Sequence, residues 1–161
     1  MPERPALRRT GLFVLLFAAT GCSGGKWREV DARLLSASQE ARRAGFLPLS
    51  GPYNTFGSYR DVLEHTWRVG LDARTPYVLA AACTDGCDSL AIRIAAPGGS
   101  PVTGARAAGA WPVVAFTAAD SGAYEVSLRG RCAAPRCWWV AQVYARGVAG
   151  TLRPGFAGGR R

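Results

Sequence analysis

"PYVLAAACTDGCDSLAIRIAA", residues 76–96, holds two segments of different character joined by a short polar one. From Tyr77 to Ala82 every residue is apolar, the pattern of a central strand. Farther on, Leu90, Ile92 and Ile94 point one way and Arg93 the other, the period of a half-buried strand. Between them, Cys83 and Cys87 enclose "TDG".

The same two-residue period recurs outward from this stretch. Trp67, Val69 and Leu71 alternate with Thr66, Arg68 and Gly70; Tyr124, Val126 and Leu128 alternate with Glu125, Ser127 and Arg129. "WPVVAFT" (111–117) and "RCWWVAQVYA" (136–145) add two more strands, and "PGGSPVTG" is turn chemistry. Six or so short strands separated by turns predict an antiparallel all-β sandwich or small barrel over residues 61–147. Asp120-Ser-Gly-Ala-Tyr124 is similar to an immunoglobulin tyrosine corner, but Val126 stands where the second cysteine of that fold belongs. An immunoglobulin-like sandwich is therefore the alternative.

Upstream, the period is helical. Val30, Leu34, Ala37, Ala41 and Ala44 share one face of a predicted amphipathic helix over 29–45. Glu29 and Asp31 stand near its start and Arg42 and Arg43 in its last turn, both suited to the helix dipole. Gly45 and Pro48 end it. Residues 22–28 read as a tether, 46–60 as a Pro/Gly/Ser-rich loop with room for one short strand, and 148–161 as a disordered tail.

Residues 1–21 read as a signal peptide. Arg4, Arg8 and Arg9 precede an eight-residue apolar run, Leu12 to Ala19, which is too short to span a bilayer as a helix. "Ala19-Thr20-Gly21-Cys22" resembles the lipobox of bacterial lipoproteins. That resemblance implies cleavage before Cys22 and acylation of its thiol, a lipid anchor, and, since Ser23 is not Asp, the outer membrane. The literal G-x-S-x-G at Gly21 to Gly25 straddles the cleavage site, away from any strand-to-helix turn, so it is no nucleophile elbow.

The whole chain of 161 residues has net charge +9; without the signal segment, 17 basic residues face 10 acidic ones. An exported basic protein has anionic lipid or wall polymer as its natural counterpart. No nucleic-acid motif, internal repeat or second spanning segment is present, so nucleic acid is not an expected partner.

Five cysteines leave one unpaired, which is Cys22 if it is acylated. The C-x-x-x-C at Cys83/Cys87 and C-x-x-x-x-C at Cys132/Cys137 fit neither a common zinc nor a thiol-redox spacing, and export favours disulfides. Chain entropy alone does not select the pairing: local loops are worth about 2 kcal/mol each, a cross-link over about 50 residues about 4.

Taken in order, Leu71 with Tyr77, Cys83/Cys87, Leu90 with Ile92, Gly98-Gly99, Pro112-Val113-Val114, Ser121-Gly122 with Tyr124 and Val126, and Cys132/Cys137 with Trp138-Trp139 resemble the bacterial pre-peptidase C-terminal-like sandwich. Arg74 stands where that family usually has glycine, and "SLAI" (89–92) where it is usually acidic. The resemblance implies a jelly-roll-like sandwich, local pairs Cys83–Cys87 and Cys132–Cys137, and an accessory rather than a catalytic domain. Asp85 and Asp88 fall short of the 6–8 oxygen ligands of a calcium site, so neither metal nor cofactor is expected.

Function follows as two alternatives. One is a non-enzymatic, lipid-anchored cell-envelope module that binds protein or cell-wall polymer. The other is a small exported hydrolase using His65, the only histidine. His65 shares the inward parity of Trp67 and has no local nucleophile motif, so the first is preferred. Trp138 and Trp139 must point to opposite faces of their strand. We expect the outward indole to be covered by the Ala-rich helix. Otherwise Trp138, Trp139, Arg129, Arg131 and Arg136 form a candidate contact patch.

Overall fold

The computed structural model describes residues 24–51, 53–109 and 111–146; the signal segment, Cys22 and the tail 148–161 lie outside the described residues. Helix α1 (Gly24–Arg43) is followed by nine strands. These are β1 (Phe46–Pro48), β2 (Asn54–Tyr59), β3 (Val62–Leu71), β4 (Pro76–Cys83), β5 (Cys87–Ala95), β6 (Pro101–Gly109), β7 (Val113–Thr117), β8 (Gly122–Cys132) and β9 (Cys137–Arg146).

The strand pairing is nested. β2 pairs with β9, β3 with β8, β4 with β7 and β5 with β6, all antiparallel. Additional β4–β9 and β5–β8 ladders join these hairpin-like pairs into two sheets, β2-β9-β4-β7 and β3-β8-β5-β6. Short β1 continues the edge beyond β2, along residues 144–146 of β9. First-with-last nesting over eight strands is a jelly roll. The immunoglobulin-like alternative is thereby excluded, because that fold groups its strands ABED and CFG. The corner residue survives in the different topology: Tyr124 Oη donates to Asp120 O at 2.9 Å.

The core lies between the sheets. Tyr77, Leu79 and Ala81 of β4 and Trp139, Ala141 and Val143 of β9 meet Leu90, Ile92, Val126 and Leu128 from the other sheet. On the solvent side of β3 and β8, Glu64 faces Arg129 (3.6 Å) and Arg68 faces Glu125 (3.9 Å) as directly opposed cross-strand pairs. The outer face of β4 and β9 carries no such pair; its one charged position in these strands is Arg146, at the end of β9 over the Phe46 ring. Val78, Ala80, Ala82, Val140 and Tyr144 are buried there under α1, against Val30, Leu34, Ala37 and Ala41. The uninterrupted apolar run in β4 therefore marks a sheet covered on both sides.

Three boundaries differ from the sequence reading. Helix α1 begins at Gly24, so most of the expected tether is helical, and Glu29 and Asp31 lie in the second turn rather than at the dipole end. The cause is tertiary: Trp27 packs against Phe56 and Trp138. At the other end, Gly45 adopts φ 83° and stops the helix, leaving Ala44 exposed and off the apolar stripe. The expected loop 46–60 contains β1 and β2, so the sheets start at Phe46 and the eight-strand sandwich at Asn54. There Thr55, Gly57 and Tyr59 alternate inward with exposed Asn54, Phe56 and Ser58, a period that the glycine and the hydroxyls conceal. Finally, the Gly-rich turn 97–100 leads into β6, whose "PVTGARAAG" lacks large apolar residues. Gly99 N donates to Ala96 O at 2.9 Å, so Pro97 and Gly98 are the central residues of this turn; Gly98, with φ 92°, takes the left-handed second position, and Gly99, with φ 90°, follows it.

Candidate functional site

Both cysteine pairs stand at disulfide distance and are local, Cys83–Cys87 and Cys132–Cys137. Each joins the last residue of one strand to the first of the next, and each crosses from one sheet to the other. Cys87 and Cys132 also face each other across the β5–β8 ladder, so the pairs close the same end of the sandwich. The two enclosed loops touch. Ala133 N donates to Gly86 O at 2.8 Å, and a Cβ at position 86 would collide with Ala134. Tyr59 Oη lies 3.0 Å from Cys87 Sγ. Burial, assisted by the charge of Asp88, pushes that phenol up to about 12.

The N-terminal half of α1 docks at this end. The Arg33 guanidinium donates to Cys83 O and pairs with Asp85 and, at 3.1 Å, with Glu29. Glu29 Oε1 also accepts from Asp85 N at 2.8 Å. On one flank, Arg33 lies over the ring of exposed Trp111, 5.4 Å from its centroid. On the other flank, the Trp27 ring meets Trp138 edge-on at 4.5 Å and Phe56 at 5.3 Å. Arg136 closes the group, with its guanidinium 5.9 Å from the Trp138 centroid.

The five-residue patch read from the sequence is divided. Trp139 is 3 % exposed and belongs to the core, because strand alternation sends it inward. Arg129 and Arg131 lie on the solvent face of the opposite sheet, where Arg129 pairs with Glu64. Only Trp138 and Arg136 are together. The outward indole, Trp138, is half-buried, met edge-on by Trp27 and packed on the cluster of Val30, Ala82 and Val140 rather than on the alanines of the helix. Trp27, Phe56 and Arg33 were not among the candidate residues. Trp27 did carry a signal, since it precedes Val30 and Leu34 at i+3 and i+7 and extends the apolar stripe backwards.

His65 sits on β3 at the edge where β2 and β3 approach. Its Nε2 is 3.3 Å from Thr55 Oγ1, and its ring lies 5.4 Å from Trp67 and 4.8 Å from Trp139. Desolvation lowers its pKa from the ordinary 6.5. No serine, thiol or carboxylate is among its contacts in the described residues. Beside it, the buried Trp67 Nε1–H has no hydrogen-bond partner among the described residues. Asp85 is engaged by Arg33, and no group of three or more His, Cys, Asp or Glu converges among the described residues. An open groove between α1 and β1 is lined by Asp31, Leu35, Ser38, Pro48, Gln142 and Tyr144. No described helix is long and apolar enough to cross a membrane. Comparison with protein-family models and with curated proteins finds no match for this chain.

Proposed function

We propose that this chain is a non-enzymatic, lipid-anchored module of the cell envelope, acylated at Cys22, whose sandwich binds a protein or a wall polymer. The outer membrane, facing the periplasm or the cell surface, is its proposed location. The observation that carries this reading is the start of α1. The helix begins two residues after Cys22 and is packed on the sandwich from Trp27 to Ala41, so an anchor at Cys22 couples the whole domain to the membrane.

The kinship with the pre-peptidase C-terminal-like sandwich belongs to the same proposal. Arg74, at the position where that family usually carries glycine, has φ 59°, a left-handed backbone that glycine adopts without steric cost. The hydrolase alternative is weaker because the hydroxyl beside His65, Thr55 Oγ1 at 3.3 Å, has no carboxylate orienting its imidazole partner among the hydrogen bonds and ion pairs of the described residues.

Intact mass of the protein extracted from its own membrane tests the anchor. Diacyl or triacyl additions on Cys22 are expected, and Cys22→Ala abolishes them and the processing. An unmodified thiol refutes the proposal.

A further inference from the structure

We infer that the aromatic face formed by Trp27, Phe56 and Trp138, with Arg136 at its rim and Arg28 next to Trp27 in the chain, docks on the surface of the bilayer that holds the anchor. The inference rests on the proposed acylation of Cys22. Gly24 is two residues on from Cys22, a reach of about 7 Å at most when extended. Trp27 follows one helical turn later, after a rise of about 4.5 Å. An acyl chain in the hydrocarbon therefore keeps Trp27 within about 12 Å of the anchored residue, and each headgroup layer is itself about 5–8 Å deep. A partner of any other kind must compete with a surface that the anchor brings to this face permanently.

The side chains suit that layer. Tryptophan is the residue most at home at the headgroup level, with its ring in the apolar part and its N–H in the polar part. Trp27 is half-buried and Phe56 is 67 % exposed, although both belong to one contiguous ring cluster. Arg28 and Arg136 are exposed and form no ion pair among the described residues, whereas Arg33, Arg68 and Arg129 all do. Two cations without an ion pair, on a surface that also exposes Phe56, match anionic phospholipid, with each Arg favouring the surface by about fivefold. The docked state would lay the disulfide-closed end of the sandwich toward the membrane and leave the opposite end for a partner.

The test uses the mature, membrane-extracted protein in vesicles of phosphatidylethanolamine and phosphatidylglycerol with brominated acyl chains. Intact mass is measured on the same sample. Docking predicts that bromine quenches part of the tryptophan emission, that Trp27→Phe removes most of the quenched component, and that Phe56→Ser with Arg136→Glu lowers it by about fivefold or more. Phe56 touches Trp27 and Arg136 lies over Trp138, so a small fall in melting temperature is expected, and a cooperative melt with unchanged far-UV dichroism excludes misfolding. Acylated Cys22 without quenching, or with quenching indifferent to Phe56→Ser/Arg136→Glu, overturns the docking and leaves the anchor standing. Self-association through these residues overturns it in favour of a second copy. An unmodified Cys22 overturns both.

Discussion

On their inner face, β4 and β9 present Tyr77, Leu79, Trp139 and Val143; on their outer face, Val78, Ala80, Ala82 and Val140. The inner set is large and interlocks with Ile92, Val126 and Leu128 across the sandwich. Apart from Trp138 and Tyr144 of β9, the outer set is small, which lets α1 lie close but leaves less apolar area to hold it. Polar contacts supplement that area: the Arg33 network at one end, and Gln142 Nε2 donating to Leu49 O at 2.7 Å beneath the groove. The inner interface therefore sets the stability of the domain. The outer one sets whether the helix, and with it the anchor, moves as one body with the sandwich.

The adjacent indoles give this contrast its sharpest test, because position in the chain is matched and only the face differs. Trp139→Ala should cost about 3–5 kcal/mol, the range for deleting a fully buried aromatic. Trp138→Ala, half-buried under Trp27, should cost about 1 kcal/mol, from roughly half the area of a buried side chain. Denaturant unfolding of both variants reads the difference. Equal losses would mean that the helix interface carries as much of the fold as the core.

A second, smaller effect separates the two cysteine pairs. Replacing either pair by alanines should cost about 2 kcal/mol, since both close loops of similar length. The structural consequences should differ. Cys83 O and Asp85 are partners of Arg33, so Cys83→Ala/Cys87→Ala should raise amide exchange in α1 as well as lowering global stability. Cys132→Ala/Cys137→Ala, which touches no helix contact of Arg33, should lower stability without selective loosening of α1. Identical exchange patterns would detach the helix from the Cys83–Cys87 loop.

The sandwich was legible wherever a strand has one wet face. β3, β5 and β8 alternate plainly because Glu64, Arg93 and Glu125 meet water while Leu63, Ile92 and Val126 do not. β2 was not legible, since Gly57 fills an inward position: a Cβ there would stand 3.0 Å from the Trp139 ring, so the close approach of that ring favours the residue that hides the strand. β6 was missed because its sequence contains no large apolar side chain to mark a face. The pairing of the cysteines came from resemblance rather than energy, and the structure brings the same local pairs together. The Trp27–Phe56–Trp138 group was out of reach for another reason. Its members come from a helix start and two strands, and nothing in local sequence says that residues 27, 56 and 138 meet.

The smallest effect concerns a titratable edge of the inner interface. His65 lies at the β2–β3 edge between Trp67 and Trp139, and burial lowers its pKa from 6.5. A base whose folded pKa is depressed binds its proton more readily in the unfolded chain. Above about pH 6.5 both states are neutral and the interaction stabilises fully. As pH falls through that value the unfolded state protonates first, and stability declines until the folded-state pKa is passed, below which the loss is constant. Chemical denaturation between pH 7 and pH 5 should therefore show a shallow fall on acidification, with the carboxylates still ionised over most of that range. His65→Gln should keep the Thr55 contact within hydrogen-bonding reach and flatten the profile. An unchanged slope in His65→Gln would assign the pH dependence elsewhere and make the edge of the sandwich as indifferent to charge as its centre.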